Sequence, residues 1–417
     1  MIQYLDTITQ NENRLKVREG GGLDIDLLLS TPEELEREGY KKIKEGKIKD
    51  GVKMLVRAAK LYEDKGEIQK AASLYKEAGV ILKERLNLYE QAKPLMLRAA
   101  YLYIRIIERE IDKNEVNLER LTSSCLNVIE AFTFLGDSRN LKKYAREFAK
   151  MYEDLGANYE EAGEIESAIV AYESAYRYYD LLNDKESLEK IAGRLVEIFG
   201  NIAEEAIAEE RYEDSGEAFE KVANYIKTIF GYEERYRELM ENAGKHYEKA
   251  SKLAYAEGDL ETMTRLLLKA QYAYLLARNF NRANLIGVNL IKMLNQVIEN
   301  YRRSGRFEVV GDKLLELAEA LIGLGKFENA MKAYTEALEE TEGRVDLRAR
   351  IRVAIIKYLA AKDMSLELLR VLDAVDFLIK HAKFLDAIEL AENAIREYEE
   401  GEEIIKALYK AEGISLK

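Results

Sequence analysis

Five positions at fixed spacing recur along the chain: a glycine, a large apolar residue two positions later, a small one at five, a large one at nine and an alanine at twelve. Gly325, Phe327, Ala330, Tyr334 and Ala337 fill them; so do Gly46, Ile48, Gly51, Leu55 and Ala58; Gly66, Ile68, Ala71, Tyr75 and Ala78; and Gly163, Ile165, Ala168, Tyr172 and Ala175. Ordinary residue frequencies would give roughly a tenth of one such match in a chain this long. Spacings of three and four put the last four positions on one helix face. The small residue there lets a neighbouring helix approach while the aromatic fills the adjacent hole. The glycine stands where the preceding helix should end in a left-handed cap. Each unit therefore reads as a turn followed by a helix that packs closely on its neighbours.

Weaker copies fill the gaps, among them Tyr89, Ala92, Met96 and Ala99, and Leu188, Ile191, Leu195 and Ile198. Between leading apolar residues the interval is 20 from Ile48 to Ile68, 23 from Ile165 to Leu188 and 24 from Leu188 to Tyr212. That is one helix and its turn, and it predicts about 17 or 18 helices after residue 30. Only two prolines, Pro32 and Pro94, interrupt the chain, and 34% of it is charged, which suits long helices laced with surface ion pairs. Thr31, Pro32, Glu33 and Glu34 supply an N-cap, a proline at the first helical position and a capping-box glutamate. Asp112 with Glu115, and Asn183 with Glu186, repeat the capping-box spacing at two later helix starts. Residues 1–30, with Gly20 to Gly22 followed by Leu23 to Leu29, do not fit the repeat and form a non-repeat arm. The rest divides into 31–226 and 227–417, either continuous or jointed at 227–256, where clean copies are missing; the stretch from Tyr89 to Leu141 is the weaker break.

Gly325, Phe327, Ala330, Tyr334, Ala337 and Leu338, with Leu314, Leu317, Ala318 and Leu321 ahead of them, resemble the two helices of a tetratricopeptide (TPR) repeat. TPR units recur every 34 residues or so. Here the hairpins run from 41 residues (Ile48 to Tyr89) to 47 (Ile165 to Tyr212), and in that length they are similar to the soluble NSF attachment proteins (SNAPs), TPR-like adaptors that link coiled-coil complexes to a disassembling ATPase. Over residues 33–410 the resemblance implies an all-α fold, a right-handed TPR-like α-solenoid of antiparallel helix hairpins. It implies a non-enzymatic scaffold that binds a protein segment, a peptide or a helix, along its concave surface. The alternative it carries is a SNAP-like adaptor of an AAA-type ATPase, with Leu416 in the place of the family's stimulating leucine but without the acidic residues that precede it. Leu315 and Glu319 stand where some TPR proteins place a carboxylate clamp, so that clamp is not implied. A helical-repeat enzyme is the third reading.

Chemistry-bearing residues are sparse. His246 and His381 are 135 positions apart and neither has companions at metal-ligand spacing; both read as surface or packing residues. Cys125 sits in an apolar helix with no histidine nearby, as a buried structural thiol does. Gly20 to Gly22 precede no lysine and hydroxyl pair and form no phosphate loop, and no cofactor is expected. Tyr172, Tyr176 and Tyr179 share a face, yet Tyr172 fills a core slot, which favours packing over a stacking platform. A net charge of −13 argues against nucleic acid as a partner. Charges interrupt every apolar run well short of the roughly 18 residues that span a bilayer, so membrane contact would be peripheral. One cysteine and no leader at the start point to a cytoplasmic setting, and abundant Lys, Glu and Arg lean towards a thermophile. Two basic stripes are the candidate partner-binding surfaces: Lys49, Lys53, Arg57 and Lys60, and Arg344, Arg348 and Arg352. A positive patch on an acidic chain would select an acidic helix or a lipid headgroup.

Overall fold

A computed structural model describes residues 31–113, 115–341, 344–363 and 365–414. Among them lie eighteen α-helices and no strand. The chain divides into two compact units at Ser187–Leu188; the sequence left the repeats either continuous or jointed at 227–256. The N-terminal arm and Leu416 fall outside the described residues.

The first unit holds α1 (Pro32–Lys44), α2 (Ile48–Asp64), α3 (Ile68–Leu86), α4 (Tyr89–Ile111), α5 (Leu118–Leu135), α6 (Ser138–Glu161) and α7 (Ile165–Leu182); α8 (Lys185–Ala208) starts at its end and runs on into the second. From α1 to α7 each helix packs on the next, α6 and α7 most extensively. The repeated slots do what their spacing requires: Leu55, Ala58, Ala71, Ala78, Ala168 and Ala175 are fully buried, and Tyr75 and Tyr172 nearly so. Gly46, Gly66, Gly163 and Gly325 all adopt positive φ, from 69° to 81°, the left-handed conformation that frees the next helix to reverse direction at least cost in a residue without Cβ. Ile48 and Phe327, the first residues of their helices, are half-buried, and Ile165 is exposed.

Thr31 forms the full capping box with Glu34 that its sequence announces. The two later boxes are corrected. The start of α5 is capped by Asn117, whose side chain accepts from Arg120 N, and Asp112 instead follows the end of α4. Asn183 is taken up by the left-handed end of α7, with φ 54°, so the cap of α8 moves one residue on, to Asp184, which accepts from Ser187 N.

The second unit continues with α9 (Tyr212–Tyr225), a π-helical segment (Ile226–Phe230), α10 (Glu233–Ala256), α11 (Leu260–Leu276), α12 (Phe280–Arg303), a 3₁₀ turn (Phe307–Val309), α13 (Val310–Gly323), α14 (Phe327–Glu340), α15 (Val345–Asp363), α16 (Leu366–Lys380), α17 (Phe384–Arg396) and α18 (Gly401–Ala411). The π segment, an extra residue per turn closed by Gly231 at positive φ, sits where the repeat lapses. Neighbours pair in order up to α14, and then the order changes. Helix α15 packs on α11 and α13, α16 reaches back to the π segment, and α18 lies against α14.

One packing device recurs in both units. A glycine makes room for a tyrosine ring of the following helix, and a glutamate four residues later accepts its hydroxyl. Gly156 and Glu160 receive Tyr172, Gly216 and Glu220 receive Tyr247, and Gly244 and Glu248 receive Tyr274. A Cβ at these glycines would stand within 2.7 to 3.0 Å of the ring. The ring fills the notch and its O–H keeps a partner, which satisfies shape and polarity together.

Candidate functional site

Helices α1, α3 and α5 lie side by side in the first unit, tied by Tyr40 Oη donating to Glu77 (2.6 Å) and Lys76 Nζ donating to Asn127 Oδ1 (2.7 Å), with Glu130 completing the lysine's partners. Between α3 and α5 runs a groove of about 620 Å³, lined by Gln69, Lys70, Ser73, Lys76, Glu77 and Val80 of α3, Ser123 and Asn127 of α5, and Tyr103 of α4 at its floor. On α3 all of these but Lys70 stand at i, i+4, i+7, i+8 and i+11, a single stripe opposite the alanine face. Gln69, Ser73 and Ser123 are exposed. Burial first, and the Glu130 carboxylate next, push the Tyr103 phenol up to about 12, so it stays a neutral hydroxyl. At the groove's end Lys70 pairs with Glu67 (2.7 Å) and lies 4.9 Å above the Tyr62 ring. Hydrogen-bonding groups at intervals along two helices, with charges already paired, can hold an extended or helical polypeptide through its polar groups. The sequence did not single these residues out; their polar stripe at helical spacing was the available signal.

Lys49, Lys53 and Lys60 are exposed and Arg57 half-buried on α2, which contributes nothing to the groove lining. Only Lys53 has an acidic partner among the described residues, Asp50 at 3.9 Å. In the second stripe, Arg344 is exposed and bound to Asp346 (2.6 Å) and Asp312 (3.3 Å), and Arg348 is half-buried with its Nε enclosed. Arg352 does not belong to that surface. It is 1% exposed, donates to Glu392 Oε1 (2.5 and 2.9 Å) and Glu412 Oε1 (2.7 Å), and its Nη1 also meets the Arg348 carbonyl. A guanidinium is the side chain that can bridge two buried carboxylates in this way.

His246 accepts or donates to Ser215 Oγ (2.6 Å) and sits edge-on between Tyr212 and Phe219. Burial lowers its pKa, with Lys249 and Lys245 adding to the effect. His381 Nδ1 lies 2.8 Å from the Phe377 carbonyl and its ring packs on Phe377. Cys125 is fully buried near Tyr152 and Tyr178, and burial raises its thiol pKa far above the ordinary range. Among the described residues no group of His, Cys, Asp and Glu is arranged to hold a metal, and no helix is long and apolar enough to cross a membrane.

No family model matches the chain, and no curated protein does. Solved structures of similar chains include a circular tandem repeat protein (16% identity over 92% of this chain and 96% of that one, TM-score 0.27), the aspartyl phosphate phosphatase F of Bacillus subtilis (16%, 88% and 96%, 0.25) and yeast Tom70 (14%, 92% and 95%, 0.19). With scores this low, the assignment rests on the molecule's own helices: the described residues form an all-α helical repeat built of packed helix hairpins.

Proposed function

We propose that this chain is a non-enzymatic protein-interaction scaffold and that its first unit takes a protein segment in the α3–α5 groove. The observation that carries the reading is the open row of Gln69, Ser73 and Ser123 beside the paired Lys76 and Glu77. A helical repeat offers an extended surface of this kind, and affinity then accumulates over several helices instead of in one pocket. Lys49 and Lys60 on α2, exposed and without an acidic partner among the described residues, favour a second surface, for an acidic partner.

A photo-reactive amino acid placed at Ser123 or at Lys53 distinguishes the two surfaces. In lysate of the protein's own organism, a single protein cross-linked from position 123 and absent from position 53 supports the groove. The reverse pattern moves the contact to the basic stripe, and no cross-linked protein from either position ends the scaffold reading.

A further inference from the structure

On the side of α2 turned away from the core, half-buried Val56 has Lys49, Lys53 and Lys60 about it at helical spacing, with Arg57 at the margin. The acids on this side are Asp50, 3.9 Å from Lys53, and Asp64, while Glu63 is bound to Arg98 of α4. The face is therefore positive on a chain of net charge −13. The α1–α2 hairpin brings its far end to the point where the described chain starts. Lys65, just past α2, lies 4.0 Å from Glu33, and Tyr62 donates to Glu36 (3.0 Å), so Thr31 stands beside the C-terminal end of α2. Lys60 is about 8 Å back along the helix from Lys65. Ahead of Thr31 the sequence reads Leu23-Asp24-Ile25-Asp26-Leu27. Five residues of extended chain reach about 17 Å and seven about 24 Å. That is enough to bring Asp26 to Lys60, and Asp24 to Arg57 or Lys53, one to two turns further along α2.

We infer that the basic face of α2 takes residues 23–29 of the same chain, with Asp24 and Asp26 paired to its cations, and that an acidic partner reaches the face only by displacing them. Connectivity selects this occupant. A segment tethered within reach is present at a local concentration on the order of 1 mM, which a partner in solution must outcompete. Exposed ion pairs are individually weak and screened by salt, so the segment is held by the tether and remains displaceable. Val56 supplies an apolar spot among the cations for the Ile and Leu that alternate with the two acids. This contact involves the basic face alone, rests on the reading of that face as a binding surface, and is independent of the α3–α5 groove.

The purified full chain with a photo-reactive amino acid at Lys53 tests the inference in the absence of any partner. After irradiation in dilute solution, trypsin digestion of the monomer-sized product should yield position 53 joined to the peptide Glu19 to Arg37, within residues 23–29. In the Asp24→Ser, Asp26→Ser variant the yield should fall to that of a control with the photo-reactive residue at Lys332. It should also fade as ionic strength rises from about 0.1 M to about 1 M, where the screening length shortens from about 10 to about 3 Å. Exchanging the charges, Asp24→Lys and Asp26→Lys with Lys49→Glu and Lys60→Glu, should restore the product. No product within residues 23–29 overturns the inference, as does a yield that the double serine variant leaves unchanged. Capture in lysate is a separate outcome. A chain that cross-links its own residues 23–29 from position 53 and captures no second protein there keeps this contact and ends the acidic-partner reading.

Discussion

In the first unit the side carrying Gln69, Ser73 and Ser123 is open to solvent, and the only charged residue buried among those described is Glu110. In the second unit the corresponding helices meet the chain's own C-terminal part. Every described residue of α13 from Lys313 to Gly323 is buried, α15 lies on α11 and α13, and α16 touches the π segment some 140 residues earlier. There Lys313, Glu316 and Thr264 form a buried cluster, Tyr272 donates to the Glu319 carbonyl, and Arg352, Glu392 and Glu412 form another. The same packing signature thus serves two ends. Where successive helices only follow one another, a polar face is left open to solvent; where the later helices turn back, the covered face becomes interior and carries paired charges.

The comparison predicts that the second unit is the more vulnerable to single changes in polarity. Arg352→Leu leaves Glu392 and Glu412 buried with their main cation gone, and should cost about 3 to 5 kcal/mol. Denaturant melts followed by hydrogen exchange should show α15, α17 and α18 losing protection while α1 to α7 keep theirs. Uniform loss across both units would mean that they do not unfold separately. Reversing the smaller groups is informative too, since Tyr334 and Tyr409 donate to the same two carboxylates.

Shape, by contrast, should matter equally in both units. Gly156→Val and Gly244→Val push a side chain into the Tyr172 and Tyr274 rings, and each should cost about 1 to 3 kcal/mol through overpacking. Comparable losses would show that the glycine, tyrosine and glutamate device is a common element; a loss confined to one unit would separate them.

A smaller effect is expected from acid. The Arg265 guanidinium beside Glu213, assisted by Lys269, holds its carboxyl down to about 2 from 4.5. A depressed carboxylate adds stability that is fully present above the unfolded value and fades as pH falls from about 4.5 through 2. Glu213→Gln should therefore melt lower at neutral pH and lose less than the parent on acidification through that window. Parallel curves would assign the acid sensitivity to other groups, such as Glu248 beside Arg282.

How far these contrasts were legible in the sequence depends on whether period alone decides them. Ala71, Tyr75 and Ala78 announce a buried face because helical spacing leaves them no other, and Gly325 announces a turn because few residues accept its φ. Arg344, Arg348 and Arg352 also share a helical stripe, but four-residue spacing of charges is identical on a surface and in an interior. Only Glu392 and Glu412, 40 and 60 residues further on, turn Arg352 inwards. The groove residues Gln69 and Ser73 were hidden for the related reason that a polar stripe reads the same on either exposed side. The π segment left only a gap in the repeat, since the extra residue erases the period that would have revealed it.

The least disruptive change should be reversal of the α2 stripe. Lys49→Glu places an acid in the first turn of α2, where the helix dipole favours it, whereas Lys53→Glu trades the weak contact with Asp50 for repulsion three residues away. Arg57→Glu alters a half-buried position with no acidic partner among the described residues. The opposing contributions leave a net change within about 0.5 kcal/mol, as for most surface substitutions. The triple variant should melt with the parent and still cross-link from Ser123 if the groove takes the partner. Loss of cross-linking at unchanged stability would instead give the stripe the first contact, and the open groove of the first unit would then serve only to shape its surface.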